Sequence, residues 1–296
     1  MIEPRTASVC AGMLRLNVTL WGDPAAPPVL LLHGLRDHSR SWDWTANALA
    51  DRYFLIAPDL RGHGDSDWTE LEGYALSSYV LDLADIAAAF GLERYAIVGH
   101  SLGGALGLRL AAAFPDKVAA VSGVECIEMP LVREERAKPV PYPARLRQWI
   151  DQRQANRART RSGYATLAEA RARMLREQQL LDAETIDHLL AHAMRRDGTG
   201  AWHWKFDPGT LPRPPFDQFG REQDQILEAV ECPVLLQYGD AGWVPMPPPE
   251  RMARLRNHRV IPFPGGTHWL HHEQRGKFIR CVSDFLDLEY RNPPNA

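Results

Sequence analysis

The sequence has few cysteines, and it lacks any apolar run of the length that crosses a membrane. Its four cysteines are scattered along 296 residues, at Cys10, Cys126, Cys232 and Cys281. They have neither metal-ligand spacing nor the density of a disulfide framework, so we expect reduced thiols in a cytoplasmic protein. No stretch approaches the roughly 18 apolar residues of a membrane span. The first residues also lack the basic and apolar regions of a signal peptide, and we expect none.

A strongly basic charge is also absent. The formal net charge is -3 at pH 7, whereas nucleic-acid-binding proteins typically carry a concentrated positive surface. We therefore expect a small-molecule partner rather than nucleic acid, and a monomer or a homodimer. What the sequence does have is an ordinary globular composition, with 45% hydrophobic and 24% charged residues. That is enough chain for one large domain with an insertion.

Strand-like and helix-like patterns alternate through residues 1–126. Short apolar runs at 27–34 and 94–101 indicate buried strands, and the amphipathic stretch 74–92 indicates a helix. The same alternation returns in residues 232–296. Strands that alternate with helices predict an α/β fold with a mostly parallel, doubly wound sheet.

Residues 127–231 interrupt this alternation with helical patterns, no convincing strand, and proline-rich ends. A helical insertion between two sheet strands predicts a cap over the carboxyl ends of the strands, where open α/β sheets keep their sites. Five residues of this segment are candidates for an apolar substrate wall: Met129, Trp149, Met174, Trp202 and Trp204. The alternative is that such residues form the insertion's own core.

The segment Gly99-His100-Ser101-Leu102-Gly103 has the Gly-x-Ser-x-Gly pattern. It follows a predicted strand and opens a predicted helix, which is the context that gives the pattern meaning. A tight turn there would lift the serine hydroxyl out at the sheet edge and leave free backbone N–H groups beneath it. We predict that Ser101 is a nucleophile; the alternative is a serine that only caps the helix.

A second loop follows the predicted strand at 27–34 and reaches the same sheet edge. The backbone N–H groups of Leu35, in this loop, and of Leu102, in the serine turn, are candidates for an oxyanion hole. Two such donors stabilise the charge that develops on a tetrahedral intermediate. Arg36 and Asp37 come next, and they are predicted either to line the pocket or to anchor the loop.

A histidine in "PGGTHWLHHEQ" has the features of a general base. His268 follows a predicted strand and a glycine turn, and it precedes the last predicted helix. A histidine in such a loop can reach a serine at the sheet edge. We interpret His271 and His272, three and four residues later, as structural or surface residues, and His100 as a packing residue.

These motifs resemble the α/β-hydrolase family over nearly the whole chain. The segments "LLLHG", "APDLRGHGDSD", "VGHSLGG" and "GTHWLHHEQ" occur in the family's order. The resemblance is to capped bacterial members, which include esterases, lactonases, carbon–carbon bond hydrolases, epoxide hydrolases and haloalkane dehalogenases. It implies a catalytic triad with no metal and no organic cofactor. Serine at position 101 disfavours the last two classes, which use an aspartate nucleophile.

The position of the triad acid departs from the usual family pattern, Gly-x-x-Asp. Three residues after Gly239 stands Gly242, which has no carboxylate, and Asp240 lies at another offset. The resemblance offers a second place, at the end of the strand after the nucleophile helix, where zearalenone-type lactonases carry a glutamate. Here that residue is Glu125, with Glu128 as its nearest rival. We predict Glu125 as the acid that orients the histidine, with Asp240 as the alternative.

Together these features predict a serine hydrolase that cleaves an apolar carboxylic ester or lactone through an acyl-enzyme on Ser101. Two alternatives remain open at this stage. One is a carbon–carbon bond hydrolase that uses the same triad, and the other is a non-catalytic small-molecule receptor on the same fold.

Overall fold

The strands follow the short apolar runs of the sequence. The computed structural model describes residues 2–69, 73–127, 133–134, 137–158, 163–212, 214 and 221–292. Its strands are β1 (Arg5–Ala11), β2 (Leu14–Trp21), β3 (Pro28–Leu32), β4 (Phe54–Pro58), β5 (Tyr95–His100), β6 (Val118–Val124), β7 (Met194–Arg196), β8 (Trp202–Trp204), β9 (Val234–Gly239) and β10 (His258–Phe263). Eight of them form one sheet in the order β1-β2-β4-β3-β5-β6-β9-β10.

The helices occupy the stretches between the strands, where the sequence has a helical period. They are α1 (Asp43–Leu49), α2 (Leu76–Ala89), α3 (Leu102–Ala113), α4 (Tyr142–Ala158), α5 (Leu167–Glu177), α6 (Ala183–Ala193), α7 (Arg221–Ala229), α8 (Pro249–Met252), α9 (Leu270–Glu273) and α10 (Arg275–Leu286). Short 3-10 turns lie at Ser39–Trp42 and Pro208–Thr210, and a π-helical turn at Asp287–Arg291 follows α10.

The main sheet is parallel except at one edge. β2 runs antiparallel to both β1 and β4, and each of the other neighbouring pairs is parallel. Side chains alternate between the two faces of a strand. Accordingly Leu30 and Leu32 belong to the core cluster that α2 and α3 cover, and Val29 and Leu31 to the cluster that α1 and α10 cover. The predicted α/β class, with a mostly parallel doubly wound sheet, is confirmed.

The segment between β6 and β9 contains α4, α5 and α6, as its helical patterns predict. The expectation that it has no strand is wrong, because β7 and β8 form a two-stranded antiparallel pair in which Met194 lies opposite Trp204. Strands of three residues are too short to show a period in the sequence. A separate hydrophobic cluster fills this segment: Ala170, Leu181, Ile186, Leu189, Leu190 and Met194. We call residues 127–231 the helical insertion; its role as a cap stays a prediction.

Five strands position the functional residues. β3, β5, β6, β9 and β10 are neighbours in that order, and all five run parallel. The loops that follow them therefore meet at one edge of the sheet.

The helices within the described ranges include none that is both long and apolar enough to cross a bilayer.

Candidate active site

Ser101 occupies a strained turn between β5 and α3. Its φ of 51° and ψ of −111° lie outside the regions that non-glycine residues prefer. The backbone N–H donates to the carbonyl oxygen of Val124 at 2.8 Å, which ties the turn to the neighbouring strand β6. The side chain accepts no capping hydrogen bond from α3. The strained backbone thus leaves the hydroxyl free of a structural role in the helix.

Two glycines allow this turn to pack against the sheet. A Cβ at Gly103 would lie 2.1 Å from the carbonyl oxygen of Leu32, and a Cβ at Gly99 would lie 2.5 Å from the amide nitrogen of Gly104. Neither neighbour is a flexible side chain, so a larger residue at Gly103 would push the turn away from β3, and one at Gly99 would push it away from the start of α3. The flanking glycines of the motif are therefore explained by close backbone approach.

A buried carboxylate–imidazole pair lies beside this turn. Glu125 follows β6 directly, is 0% exposed, and has a φ of 44°. Its Oε2 lies 2.7 Å from Nδ1 of His268, and its Oε1 accepts a hydrogen bond from the backbone N–H of Gly239 at 3.0 Å. Because the carboxylate holds the proton on Nδ1, the lone pair of His268 is on Nε2, the atom that a general base uses.

His268 packs next to the serine turn. The ring of His100, the residue before Ser101, lies 4.6 Å from the ring of His268, and its Nε2 is 2.7 Å from the carbonyl oxygen of His268. Nε2 is the donor, because a carbonyl oxygen only accepts. The indole of Trp243 lies 4.8 Å from the His268 ring on another side. The structure thus places the Glu125–His268 pair beside the turn that carries Ser101, at one edge of the sheet.

The alternative acid, Asp240, has different surroundings. It is exposed, and its Oδ1 accepts a hydrogen bond from the backbone N–H of Gly265 at 2.7 Å. At the usual acid position, a Cβ on Gly242 would lie 3.0 Å from the backbone nitrogen of His268. The carboxylate of Asp240 therefore bonds to the turn before His268, and the part of the β9 loop that lies against His268 itself is the backbone at Gly242.

The loop after β3 is held from below by His33. Its ring Nδ1 donates to the carbonyl oxygen of Gly34 at 2.7 Å, and its Nε2 accepts from the backbone N–H of Leu60 at 3.0 Å. Burial lowers the pKa of His33 to about 4, so the ring is neutral at pH 7 and can make one donated and one accepted bond. This arrangement fixes the backbone directly before Leu35.

Asp59, a residue that the motif reasoning did not single out, joins three segments near the site. It is buried and accepts hydrogen bonds from the backbone N–H groups of Ser39 at 2.7 Å and Asp65 at 2.9 Å, and from the side-chain amide of Asn17 at 2.9 Å. Such a carboxylate supports the loops around it. The sequence signal for Asp59 was its place in "APDLRGHGDSD", one of the segments that carry the family resemblance.

A small cavity opens at Ser101, with a volume of about 140 Å³. Both candidate oxyanion residues, Leu35 and Leu102, line it. The helical insertion contributes five lining residues, which are Ile127, Thr210, Leu211, Pro214 and Gln223. The remaining lining residues that the structure describes are Tyr74, Leu76, Tyr79, Ala105, Arg109 and Cys126.

Arg109 was missed in the sequence, although a signal existed. Ser101, Ala105 and Arg109 are spaced by four along the turn and helix α3, and all three line the cavity. Residues four apart lie on one face of a helix, so the residues after the nucleophile predict one wall of its cavity. Arg109 donates to the carbonyl oxygen of Ala105 at 2.9 Å.

Arg36 and Asp37 lie in the loop after Leu35 but not in the lining of this cavity. Arg36 is exposed, has a φ of 65°, and its guanidinium lies 5.9 Å from the ring centre of Phe206. Asp37 accepts a hydrogen bond from the backbone N–H of His38 at 2.9 Å. Burial raises the pKa of Asp37 to about 7. These contacts match the alternative in which the two residues anchor the loop.

The predicted wall residues of the insertion have separate outcomes. Met174, Trp202 and Trp204 pack against the insertion's own cluster, and half-buried Trp149 lies on α4. None of these four is among the residues that line the cavity at Ser101. Met129 and the rival acid Glu128 lie outside the described residues. For Trp202, the interpretation as a core residue of the insertion fits the structure.

Comparisons with known proteins agree with this fold. A family model described as the alpha/beta hydrolase fold matches residues 27–274. A crystal structure of a hypothetical protein from Pseudomonas aeruginosa PAO1 has a TM-score of 0.81 and 24% identity, and it covers 97% of this chain and 100% of the other. At that identity the likeness is one of fold.

Two curated relatives match a shorter stretch. An uncharacterised protein of Mycobacterium tuberculosis is 40% identical over 94 residues, which is 32% of this chain and 27% of the relative. A 3-hydroxybutyrate-oligomer hydrolase of Cupriavidus necator is 39% identical over 103 residues, which is 34% of this chain and 35% of the relative. The matched stretches therefore span about a third or less of those proteins.

Proposed function

Because this chain belongs to the α/β hydrolase family, we propose that it is a serine hydrolase that cleaves carboxylic esters or lactones through an acyl-enzyme on Ser101. One observation carries the proposal. A buried carboxylate and imidazole, Glu125 and His268, are paired at 2.7 Å beside the strained turn that presents Ser101. A buried carboxylate is costly unless it is paired. A buried ionisable pair beside a strained turn, at the sheet edge where α/β proteins keep their sites, is a candidate for catalysis.

The proposed reaction begins when Nε2 of His268 takes the proton of the Ser101 hydroxyl as Oγ attacks the substrate carbonyl carbon. The tetrahedral intermediate collapses, the imidazolium donates its proton to the leaving oxygen, and an acyl-enzyme remains. Water then attacks the acyl carbon with His268 as the base again, and the carboxylic acid leaves. Glu125 holds the ring orientation and stabilises the imidazolium.

The backbone N–H groups of Leu35 and Leu102 are the proposed oxyanion donors. Both residues line the cavity at Ser101, and Leu102 is the first residue of α3, whose N-terminus carries unpaired N–H groups. The bonds of His33 to Gly34 and Leu60 hold the first donor loop before substrate arrives. Donors fixed in advance stabilise the transition state without reorganisation, and each is typically worth about 3 kcal/mol.

The cavity favours a short acyl group or a small ring. Its volume of about 140 Å³ is close to that of an engineered core cavity of about 150 Å³ that holds benzene. The walls from Leu76, Ala105 and Leu211 are apolar. We therefore infer that nitrophenyl esters of about four to six acyl carbons are better substrates than long-chain esters.

The helical insertion is proposed to act as a cap. Thr210, Leu211 and Pro214 contribute to the cavity wall, and Trp269, next to the proposed base, packs against the insertion's hydrophobic cluster. In addition, the Tyr74 hydroxyl donates to Asp207 at 2.8 Å across the boundary. An insertion that touches both the cavity and the histidine loop is suited to select substrates.

The test combines covalent labelling with turnover. A fluorophosphonate probe should label the wild-type protein and not Ser101→Ala, and the wild type should hydrolyse nitrophenyl butyrate faster than nitrophenyl palmitate. Simple lactones are assayed in parallel. Labelling of Ser101→Ala to the same extent contradicts the assignment of the nucleophile. Labelling of the wild type without turnover of any ester or lactone favours the receptor alternative, and turnover of ring-cleavage diketones favours the carbon–carbon bond hydrolase.

A further inference from the structure

Contacts from His38 and Arg275 join helix α6 of the helical insertion to the core. His38, just before the 3-10 turn Ser39–Trp42, donates from Nε2 to the carbonyl oxygen of Leu189 in α6 at 3.1 Å. Arg275, at the start of α10, donates to the Thr185 hydroxyl at the other end of α6 at 2.6 Å. Two contacts at separate turns fix both the position and the rotation of α6 on the core.

This anchoring holds two histidines of α6 over a buried carboxylate. His188 and His192 are four residues apart and so lie on one face of the helix. One ligand atom from each of them and a carboxylate oxygen of Asp43, in α1, all lie within 4.8 Å of one another. Nε2 of His188 donates to Oδ2 of Asp43 at 3.1 Å and to the carbonyl oxygen of Arg40 at 3.2 Å, so an ion bound there would replace this proton.

We propose that Asp43, His188 and His192, with the carbonyl oxygen of Arg40, form a binding site for a divalent transition-metal ion such as Zn²⁺. Two imidazoles and a carboxylate are a donor set that Zn²⁺ prefers. Neighbouring ligands of a tetrahedral zinc ion, each about 2.0–2.2 Å from the metal, are about 3.3 Å apart. The separations of His188 Nε2 from Asp43 Oδ2 and from the Arg40 carbonyl oxygen are close to that value.

One of the two imidazoles, that of His192, is available to a metal ion. Metal binding needs the lone pair of a neutral imidazole. Within the described part of the chain, His192 makes no hydrogen bond, so its lone pair is available.

Arg40 opposes the ion. Its Nε and Nη2 donate to Asp43 at 2.8 and 2.7 Å, and its positive charge would repel a cation held by the same carboxylate. The Arg40 side chain is 28% exposed, so the guanidinium can turn toward solvent while its backbone carbonyl stays in place. The site should therefore be weaker than a dedicated zinc centre, and it should become tighter when this guanidinium is removed.

An ion at this site would link the core to the helical insertion. Asp43 and Arg40 belong to the core, and His188 and His192 to the insertion. A ligand that binds only the folded arrangement stabilises it in proportion to the logarithm of its concentration over Kd. Zn²⁺ should thus raise the melting temperature, and this effect does not require the protein to be a hydrolase.

The experiment measures Zn²⁺ binding by equilibrium dialysis with elemental analysis, and the site geometry by Co²⁺ absorption. The wild type should bind one Zn²⁺ at micromolar concentration, and bound Co²⁺ should give the visible bands of a four-coordinate site. His188→Ala and His192→Ala should each weaken binding about 100-fold, and Arg40→Ala should tighten it about tenfold. Trp44, whose ring lies 4.4 Å from that of His188, should lose fluorescence when Cu²⁺ binds.

The matched control is His203→Ala. His203 is also paired with a carboxylate, Asp197 at 2.8 Å, but it lies in β8 away from this group. Its removal should leave Zn²⁺ affinity unchanged. If either alanine variant of α6 fails to fold by circular dichroism, His188→Gln and His192→Gln replace it.

Three results would overturn the proposal. The first is wild-type protein that binds no Zn²⁺ at micromolar concentration, and the second is wild-type affinity in both α6 variants. The third is loss of binding on His271→Gln alone, which would assign the ion to a second group formed by Asp37, His100 and His271. Because binding and melting are measured without substrate, a failed ester assay would leave this result intact.

Discussion

Two neighbouring strands of the sheet, β6 and β9, are each followed directly by a carboxylate, and the two have opposite surroundings. Glu125 after β6 is fully buried, with one oxygen on His268 and the other on the Gly239 N–H. Asp240 after β9 is exposed and bonds to the turn at Gly265. A shared sheet edge therefore does not decide which carboxylate meets the histidine; the packing of each loop does.

The loop after β9 is joined to the histidine loop through its backbone. The N–H of Ala241 donates to the carbonyl oxygen of Gly266 at 3.0 Å, and a Cβ at Gly239 would lie 2.1 Å from that same oxygen. This close approach leaves little space between the two loops for a side chain from β9. The longer side chain of Glu125 reaches His268 from the neighbouring strand instead.

The largest expected effect on activity is that of removing the proposed nucleophile, Ser101. Ser101→Ala removes one hydroxyl from a strained turn and should leave the fold unchanged. Its kcat on nitrophenyl butyrate should fall by up to about 10⁶-fold, the scale of triad knockouts. Circular dichroism and thermal melting serve as controls for folding. A variant that retains a tenth of the wild-type rate would show that neither carboxylate is part of a serine mechanism.

The direct test of the comparison is a pair of matched amide substitutions. Glu125→Gln keeps the hydrogen-bonding reach but loses the charge, and it should lower kcat by up to about 10⁴-fold because the imidazole takes the wrong tautomer. Asp240→Asn should change kcat less than about threefold, because an exposed side chain on a turn contributes little. A dead Asp240→Asn beside an active Glu125→Gln would reverse the comparison. Melting curves of both variants separate loss of chemistry from loss of fold.

A second acid at the usual family position should not rescue the first. In Glu125→Gln/Gly242→Asp, the new Cβ would lie 3.0 Å from the backbone nitrogen of His268, so the loop must shift to admit it. We expect kcat to stay within about tenfold of the single Glu125→Gln variant. Recovery to near wild-type activity would mean that the β9 loop has room for the acid. The single variant Gly242→Asp, with Glu125 intact, controls for damage to the loop.

Substitution of a third carboxylate near the same edge, Asp37, should give the smallest effect, which is a change in thermal stability. Its folded-state pKa of about 7 is above the unfolded value of about 3.8, so the folded protein retains a proton that the unfolded chain loses. The free energy of unfolding of the wild type therefore falls as pH rises from about 4 to 7, because only the unfolded chain releases this proton in that range. Asp37→Asn should melt at the wild-type temperature at pH 4 and a few degrees higher at pH 8. Equal melting temperatures at pH 8 would contradict the shift.

The sequence by itself determined the fold class, and it predicted two members of the proposed site, Ser101 and His268. The alternation of buried runs and amphipathic helices predicts the parallel sheet because each period is local. Likewise, the glycines around Ser101 identify the strained turn, and the glycine turn before His268 identifies a loop at the same edge. These signals depend on residues close together in the chain.

Only the tertiary structure decided which carboxylate pairs with His268 and which residues surround the cavity. Glu125 and His268 are 143 positions apart. The family resemblance favoured Glu125 but left Asp240 open, because both residues follow strands that end at the same edge of the sheet. The same limit applies to β7 and β8, whose three-residue strands are too short to show a period and are recognised only from their pairing, with Met194 opposite Trp204. The pairing of two segments depends on how the chain packs in three dimensions, and no local period in the sequence records that.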